Sequence, residues 1–363
     1  MSRVAYVTFN DLPGGIFTSQ VTDTCAFLKK EFGAEVQLIS FISLRKFSAN
    51  RKKIKEQFDN AVVLPMWPGV RNWKMNATLL RRYLGLFEPT IIIARGPFAS
   101  VLSREASAVR VCFDARGAYV AEFSEYDVSS GKIPVDEIRT TERLALTGSH
   151  CQIAVSNALL EYWNREFDFI ANLAEVIPCT LSAHHVAQPL AGSNKQSLTR
   201  IVFAGGNGKW QSVDHISSLL MPVFESNANV ELTLLMRTMP EDFKLKEKFP
   251  ERVKHMWLDE TEVPAALAAC DYGWMYREQS VTNQVASPVK FAEYLAAGLS
   301  VIISENLGDF SSFVQQHGCG AVVKDQLTAL PAISDERRAA NRQLAQDYFL
   351  KRNYIQAYKN IVQ

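Results

Sequence analysis

From Val4 to Ser304 short β-branched and apolar runs alternate with amphipathic stretches, and that alternation restricts the chain to β-α-β units in parallel sheets. Strands are expected near Val4–Phe9, Glu35–Ser40, Thr90–Ala94, Val109–Asp114 and Gln152–Ser156 in the first half. A second series falls near Arg200–Ala204, Val230–Leu235, Arg252–Trp257, Tyr272–Tyr276 and Val301–Ser304. The fold class is therefore α/β, with two doubly wound, Rossmann-like domains. Pro178 to Thr199, rich in Ser, Ala, Gln and His, reads as the linker, so the domains are expected over 1–180 and 190–335. Residues 336–363 have a helical pattern and are expected to pack back toward the first domain.

A chain of 363 residues, 47% hydrophobic, can bury two cores. Its formal net charge of +1 argues against a dedicated nucleic-acid binder. Six cysteines, at 25, 112, 151, 179, 270 and 319, show no C-x-x-C spacing and read as reduced, buried thiols. The run beginning at Val4 has no basic region or long apolar core before it, so no secretory leader is expected, and no apolar run is long enough to span a bilayer. The expected location is cytoplasmic, at most on the inner face of the membrane. Basic and aromatic residues interleave from Arg45 to Arg82, including Lys52, Lys53, Trp67, Trp73 and Arg81, as on a face that meets a lipid surface or as on a solvated helix.

Ligands of doubly wound sheets bind outside the carboxyl ends of the strands, which directs attention to the strand-to-helix loops. In the first half these loops are Asp11-Leu-Pro-Gly14-Gly15 and Asp114-Ala-Arg116-Gly117, the latter followed by Glu122. An acid here can orient or deprotonate a hydroxyl; equally, Arg116 can form a structural ion pair with Asp114 or Glu122. In the second half they are Gly205-Gly206-Asn207-Gly208-Lys209, then Arg237, then Arg277-Glu278. Neither Gly-rich loop has Walker A or dinucleotide-fingerprint spacing. Ser287-Pro288-Val-Lys290-Phe-Ala-Glu293-Tyr-Leu-Ala-Ala-Gly298 reads as a helix capped at Ser287, with Lys290 and Glu293 on one side and a stop at Gly298. Such an N-terminus favours a phosphate, with Lys290 as countercharge and Glu293 as an acceptor for sugar hydroxyls. Cations converging from Lys209 and Arg277 would stabilise a departing diphosphate without a metal. His184 and His185 lack partners at metal-ligand spacing, and His150 reads as structural.

These segments resemble the GT-B-fold nucleotide-sugar glycosyltransferases, specifically family 4 and its relatives in bacterial surface-polysaccharide assembly (lipopolysaccharide, capsule). The resemblance covers nearly the whole chain and is strongest from Arg200 to Val323. It implies two domains facing across a cleft, the first binding acceptor and the second the nucleotide sugar. The 287–298 segment is similar to the donor-binding helix, with Ser287, Pro288 and Lys290 at the diphosphate and Glu293 at the ribose. Gly205, Gly206 and Lys209 match the loop opening the second domain, Met256 and Trp257 the border of the base, and Gly14 and Gly15 the Gly-rich loop of the first domain. The sequence departs from the family pattern at Val285, where the first of two paired glutamates belongs, at Gly206 in place of an arginine, and at Asp114 in place of a histidine.

The resemblance implies a retaining, metal-independent hexosyltransferase. It would move a sugar from a UDP- or GDP-linked donor to a hydroxyl of a saccharide, lipid-linked in the expected case, with no separate cofactor. Lys209, Arg277 and Asp114 are the expected catalytic residues. Arg237 joins the donor site, and Asp114, Arg116 and Glu122 the acceptor site. The alternatives are a GT-B nucleotide-sugar epimerase or hydrolase, and a noncatalytic binding subunit.

Overall fold

The computed structural model describes residues 2–68, 70–127, 133–182, 198–206 and 208–363. The chain forms two compact units, one running to Ser182 and taking in Lys351–Gln363, the other ending at Leu350. His184, His185, Asn207 and most of the expected linker lie outside the described residues.

In the first unit seven parallel strands stand in the order β3-β2-β1-β4-β5-β6-β7. They are β1 (Arg3–Phe9), β2 (Glu35–Ile42), β3 (Val62–Pro65), β4 (Ile91–Arg95), β5 (Val111–Asp114), β6 (Cys151–Ala154) and β7 (Ala174–Val176). The central strands are apolar without alternation because helices cover both faces: all five residues of β4 are buried, as are five consecutive residues of β1. Tyr6 sits opposite Leu38 on one side and Ile93 on the other. Tyr358, Ile361 and Val362 of the last helix, Ile355–Val362, belong to the same core as Val4, Cys25 and Leu28. The Lys351 ammonium ties this tail down by donating to the Ser19 carbonyl at 2.5 Å and to Thr180 Oγ1 at 2.8 Å. Burial pulls its pKa down to about 8.

In the second unit the order is β10-β9-β8-β11-β12-β13. These strands are β8 (Thr199–Ala204), β9 (Val230–Leu235), β10 (Val253–Met256), β11 (Tyr272–Met275), β12 (Ser300–Ser304) and β13 (Gly320–Val323). Strand order reverses between β1 and β4 in the first sheet and between β8 and β11 in the second, giving each one topological switch point. The helix Asp335–Tyr348, grouped with the crossing tail in the sequence reading, packs in the second unit: Arg338 pairs with Asp271 and Asn341 donates to the Leu299 carbonyl at 2.9 Å.

Three strands were not foreseen. β3 is four residues ending in Pro65, β7 is a half-buried triplet, and β13 is a short edge strand, so none has the long buried run that marks the centre of a sheet. Trp73, read as part of a surface face, is interior: it is 2% exposed, packs edge-on against Phe98 and donates Nε1 to Glu137 at 3.0 Å. Trp67 is exposed, as are Arg51, Lys52, Lys53 and Lys55 on the helix Phe47–Gln57. All six cysteines are free, five of them buried.

Candidate functional site

Parallel strands point all their carboxyl ends to one edge, so the loops of each sheet gather there, and the switch point opens a crevice between strands whose connections leave in opposite directions. In the six-stranded sheet that crevice is a small pocket open to solvent, walled by Phe203 and Ala204 at the end of β8, Gln211 from the following turn, Trp274, Met275, Tyr276 and Arg277 along β11 and beyond, and Lys290 and Tyr294 from one helix.

The helix is Val289–Ala296, with Pro288 at the N-cap and Ser287 one residue outside. The proline fixes φ near −67° in an extended turn, so the predicted cap moves by one residue and carries no side-chain hydrogen bond. The helix stops before Gly298 (φ +83°), as the sequence indicated. Phe291 stacks on Phe310 with ring centroids 4.2 Å apart, and Tyr294 lies buried against the sheet. The Tyr294 hydroxyl accepts the Ala204 N–H at 2.9 Å and donates to the Trp274 carbonyl at 3.3 Å, tying the ends of β8 and β11 to one helix. Gly273 makes room, since a Cβ there would stand 2.3 Å from the tyrosine ring.

Lys290 and Glu293 form a 2.6 Å ion pair, three residues apart on the face that the sequence predicted. Arg277 comes from the loop after β11. Its backbone N–H donates to Ser304 Oγ at 3.1 Å, and its Nη1 to Asn283 Oδ1 at 3.4 Å. Asn283 is 2% exposed and also donates to the Glu278 carbonyl at 3.0 Å, so one buried amide braces the loop that carries the arginine. Val285, at the first-glutamate position of the resemblance, is buried at 2% exposure and turns no polar group outward.

Lys209 starts a single 3₁₀ turn, Lys209–Gln211, and is exposed; it is Gln211 from that turn that lines the pocket. Gly205 and Gly206 connect β8 to this turn. Arg237 lies over the Trp257 ring, 5.4 Å from its centroid, at the ends of β9 and β10 beside Met256, and both Met256 and Trp257 are exposed.

The switch point of the seven-stranded sheet has a different chemistry. Asp114, the last residue of β5, is 1% exposed; it accepts the Tyr6 hydroxyl at 2.6 Å and the Arg116 guanidinium at 3.0 Å. Of the partners the sequence left open for Arg116, Asp114 is the one taken. Arg95, at the end of β4, reaches Asp11 at 3.4 Å and Asp114 at 3.9 Å. Desolvation pushes the Tyr6 phenol up, and the neighbouring Asp114 charge adds to it, so Tyr6 stays a neutral donor. Glu122, in the first turn of the helix Tyr119–Tyr126, is pushed up to about 7, chiefly by desolvation and then by Glu125. Glu142 accepts the Val120 N–H at 2.9 Å at the start of that helix and is pushed up to about 8 by burial. Gly14 is exposed with extended backbone, Gly15 opens the helix Gly15–Phe17, and a π-type turn, Thr18–Thr22, follows.

Arg95, Tyr6, Asn283, Tyr294 and Glu142 were missed. Arg95 carried a readable signal: it is the one charge ending Thr90-Ile-Ile-Ile-Ala-Arg-Gly-Pro, where a buried strand gives way to a helix. The others are polar groups inside apolar patterns, and only the packed structure shows their partners.

No protein-family model and no curated protein sequence matches the chain. Solved structures do. Sucrose-phosphate synthase from Thermosynechococcus elongatus superposes with a TM-score of 0.74 at 14% identity, over 99% of this chain and 98% of that one. The fold is GT-B. A glycosyltransferase from Rickettsia africae gives 0.72 at 14% identity, over 100% and 99% of the two chains. The catalytic domain of starch synthase IV from Arabidopsis thaliana, bound to ADP and acarbose, gives 0.63 at 9% identity over 99% and 98%. Among the described residues no helix is long and apolar enough to cross a membrane.

Proposed function

We propose that the chain is a glycosyltransferase that takes a sugar from a nucleoside-diphosphate-sugar and passes it to a hydroxyl of a saccharide acceptor. The observation that carries this reading is the convergence of Arg277 and Lys290, from two separate elements, on one pocket at the switch point of the six-stranded sheet. Breaking the bond between the sugar and the diphosphate builds negative charge on the bridging oxygen, and preorganised cations in a partly desolvated pocket stabilise it. Arg277 suits this role because its guanidinium is already braced by Asn283. Lys290, held by Glu293, supplies a second charge, and Glu293 is positioned to accept from ribose hydroxyls once a nucleotide draws Lys290 away. Trp257 and Met256 offer an exposed apolar surface for the base, with Arg237 above the ring. Lys209, on its exposed turn, is the third cation available to the diphosphate.

Similarity in fold to a starch synthase that binds ADP and a saccharide supports a nucleotide-linked donor. Retention of configuration, a lipid-linked acceptor and work at the inner membrane face complete the proposal. Asp114 is buried and already accepts from Tyr6 and Arg116, so the acceptor proton is better assigned to the departing phosphate oxygen. Incubating the purified protein with UDP- and GDP-sugars and a set of saccharide acceptors, and following nucleoside diphosphate release, tests the reading. Acceptor-dependent release supports it; no release from any donor refutes it.

A further inference from the structure

The switch point of the seven-stranded sheet presents more buried donors than the described residues satisfy. Arg95 is buried at 8% exposure; its Nε reaches Asp11, and its Nη1, enclosed by protein and 3.9 Å from Asp114, has no hydrogen-bond acceptor among the described residues. Arg116 has a side chain only 11% exposed and spends Nη2 on Asp114, while its Nε and Nη1 also have no acceptor among the described residues. A buried charged donor left without an acceptor costs at least about 1–3 kcal/mol, so folded proteins keep such groups where something else supplies the acceptor. The two guanidiniums flank one carboxylate, Asp114, at the carboxyl ends of adjacent strands, where ligands of this topology bind. Asp11 is the loosest member: its side chain is 31% exposed, it sits in the loop after β1, and it holds Arg95 only at 3.4 Å.

We propose that Arg95 and Arg116 form a subsite for an oxyanion, a phosphate or carboxylate carried by the acceptor sugar, with Asp11 as the carboxylate that the ligand displaces from Arg95. Guanidinium suits either anion because its planar N–H groups pair with two oxygens at once. Describing the ligand as an acceptor rests on the glycosyl-transfer reading; the anion site does not.

The test is calorimetric titration of the full chain with inorganic phosphate, glucose 6-phosphate, glucuronate and glucose, for the wild type and for Arg95→Gln, Arg116→Gln and Arg277→Ala. The expected result is that at least one anionic sugar binds about tenfold or more tightly than glucose, the size of one charge-assisted hydrogen bond. That preference disappears in the Arg95 and Arg116 variants and persists in Arg277→Ala, which removes a cation of the other pocket. Preference for glucose 6-phosphate identifies a phosphate-bearing sugar, and preference for glucuronate a carboxylate-bearing one. Equal binding of the charged sugars and glucose, no binding of either anionic sugar, or a preference that follows Arg277 overturns the proposal. Arg95→Lys keeps the charge while losing the planar fork, and serves if glutamine unfolds the unit by circular dichroism. Failure of sugar transfer with every acceptor would sink the functional reading and leave this binding result standing.

Discussion

At the switch point of the six-stranded sheet the two cations lie along an open pocket, and the groups that hold its walls together are mostly neutral: a tyrosine between two backbone groups, an asparagine behind Arg277, a serine under its N–H. At the equivalent position of the seven-stranded sheet the charges are inside. Arg95, Arg116, Asp114 and Tyr6 are almost wholly enclosed; Tyr6 and Arg116 are bound to Asp114, and Arg95 to Asp11. The same topology thus serves two electrostatic economies. Cations facing an open pocket can exchange partners with a ligand at modest cost, whereas in a buried network every donor that its internal pairs leave over is costly, which makes it a high-stakes element.

This contrast predicts where substitutions damage stability and where they damage chemistry. The largest effect is expected from Asp114→Ala, which strands two buried guanidiniums: a loss of about 3–5 kcal/mol, read as a shifted urea midpoint of the first unit. A near-neutral result would mean that the arginines reach solvent once the carboxylate is gone. Arg277→Ala should leave the melting curve close to wild type yet lower turnover by about 10²- to 10³-fold, the range for losing one preorganised donor to a developing oxyanion. Comparable damage to fold and rate would erase the distinction between the sites.

Protonation sharpens the comparison. The buried Glu142 carboxyl is held near 8, above the ordinary value for an unfolded chain, so the folded state keeps a proton that the unfolded state releases. Its contribution is fully present below the unfolded pKa and is lost as pH rises through about 8, at up to about 1.4 kcal/mol per pH unit in between. Glu142→Gln should flatten the fall in stability between roughly pH 5 and 8; an unchanged slope in pH-resolved urea melts would show that Glu142 does not titrate there. The smallest effect belongs to Tyr294→Phe, which leaves the Ala204 N–H without its acceptor at a cost of about 1–3 kcal/mol and slackens the pocket wall. Thermal melts of this variant with and without nucleotide separate the two consequences.

The fold was legible to the degree that strands were buried on both faces. β1, β4 and β12 are runs such as Ile-Ile-Ile-Ala, in which no polar face exists to confuse the period, while β2, β8 and β9 keep apolar residues at their buried positions. β3, β7 and β13 stand at or near the sheet edges, where a few residues suffice and Pro65 or Gly320 is tolerated. For the site, residue types and loops could be read, because strand ends and helix starts have local signatures. Partnership could not. Arg95 meets Asp11 from 84 positions away, and Tyr6 meets Asp114 from 108, distances along the chain that no local pattern encodes. The shift of the helix start from Ser287 to Pro288 has a smaller cause: a serine followed by proline looks like a cap, but here the proline itself takes the non-helical conformation.

The account stands on the pocket beside Arg277 and Lys290 being a diphosphate site. Calorimetric titration of UDP and of GDP into the full chain and into its Arg277→Ala and Lys290→Ala variants tests that most directly. The account predicts saturable binding of at least one nucleotide to the wild type and a loss of about tenfold or more in affinity in each variant. Binding of neither nucleotide, or equal affinity in all three proteins, would contradict it.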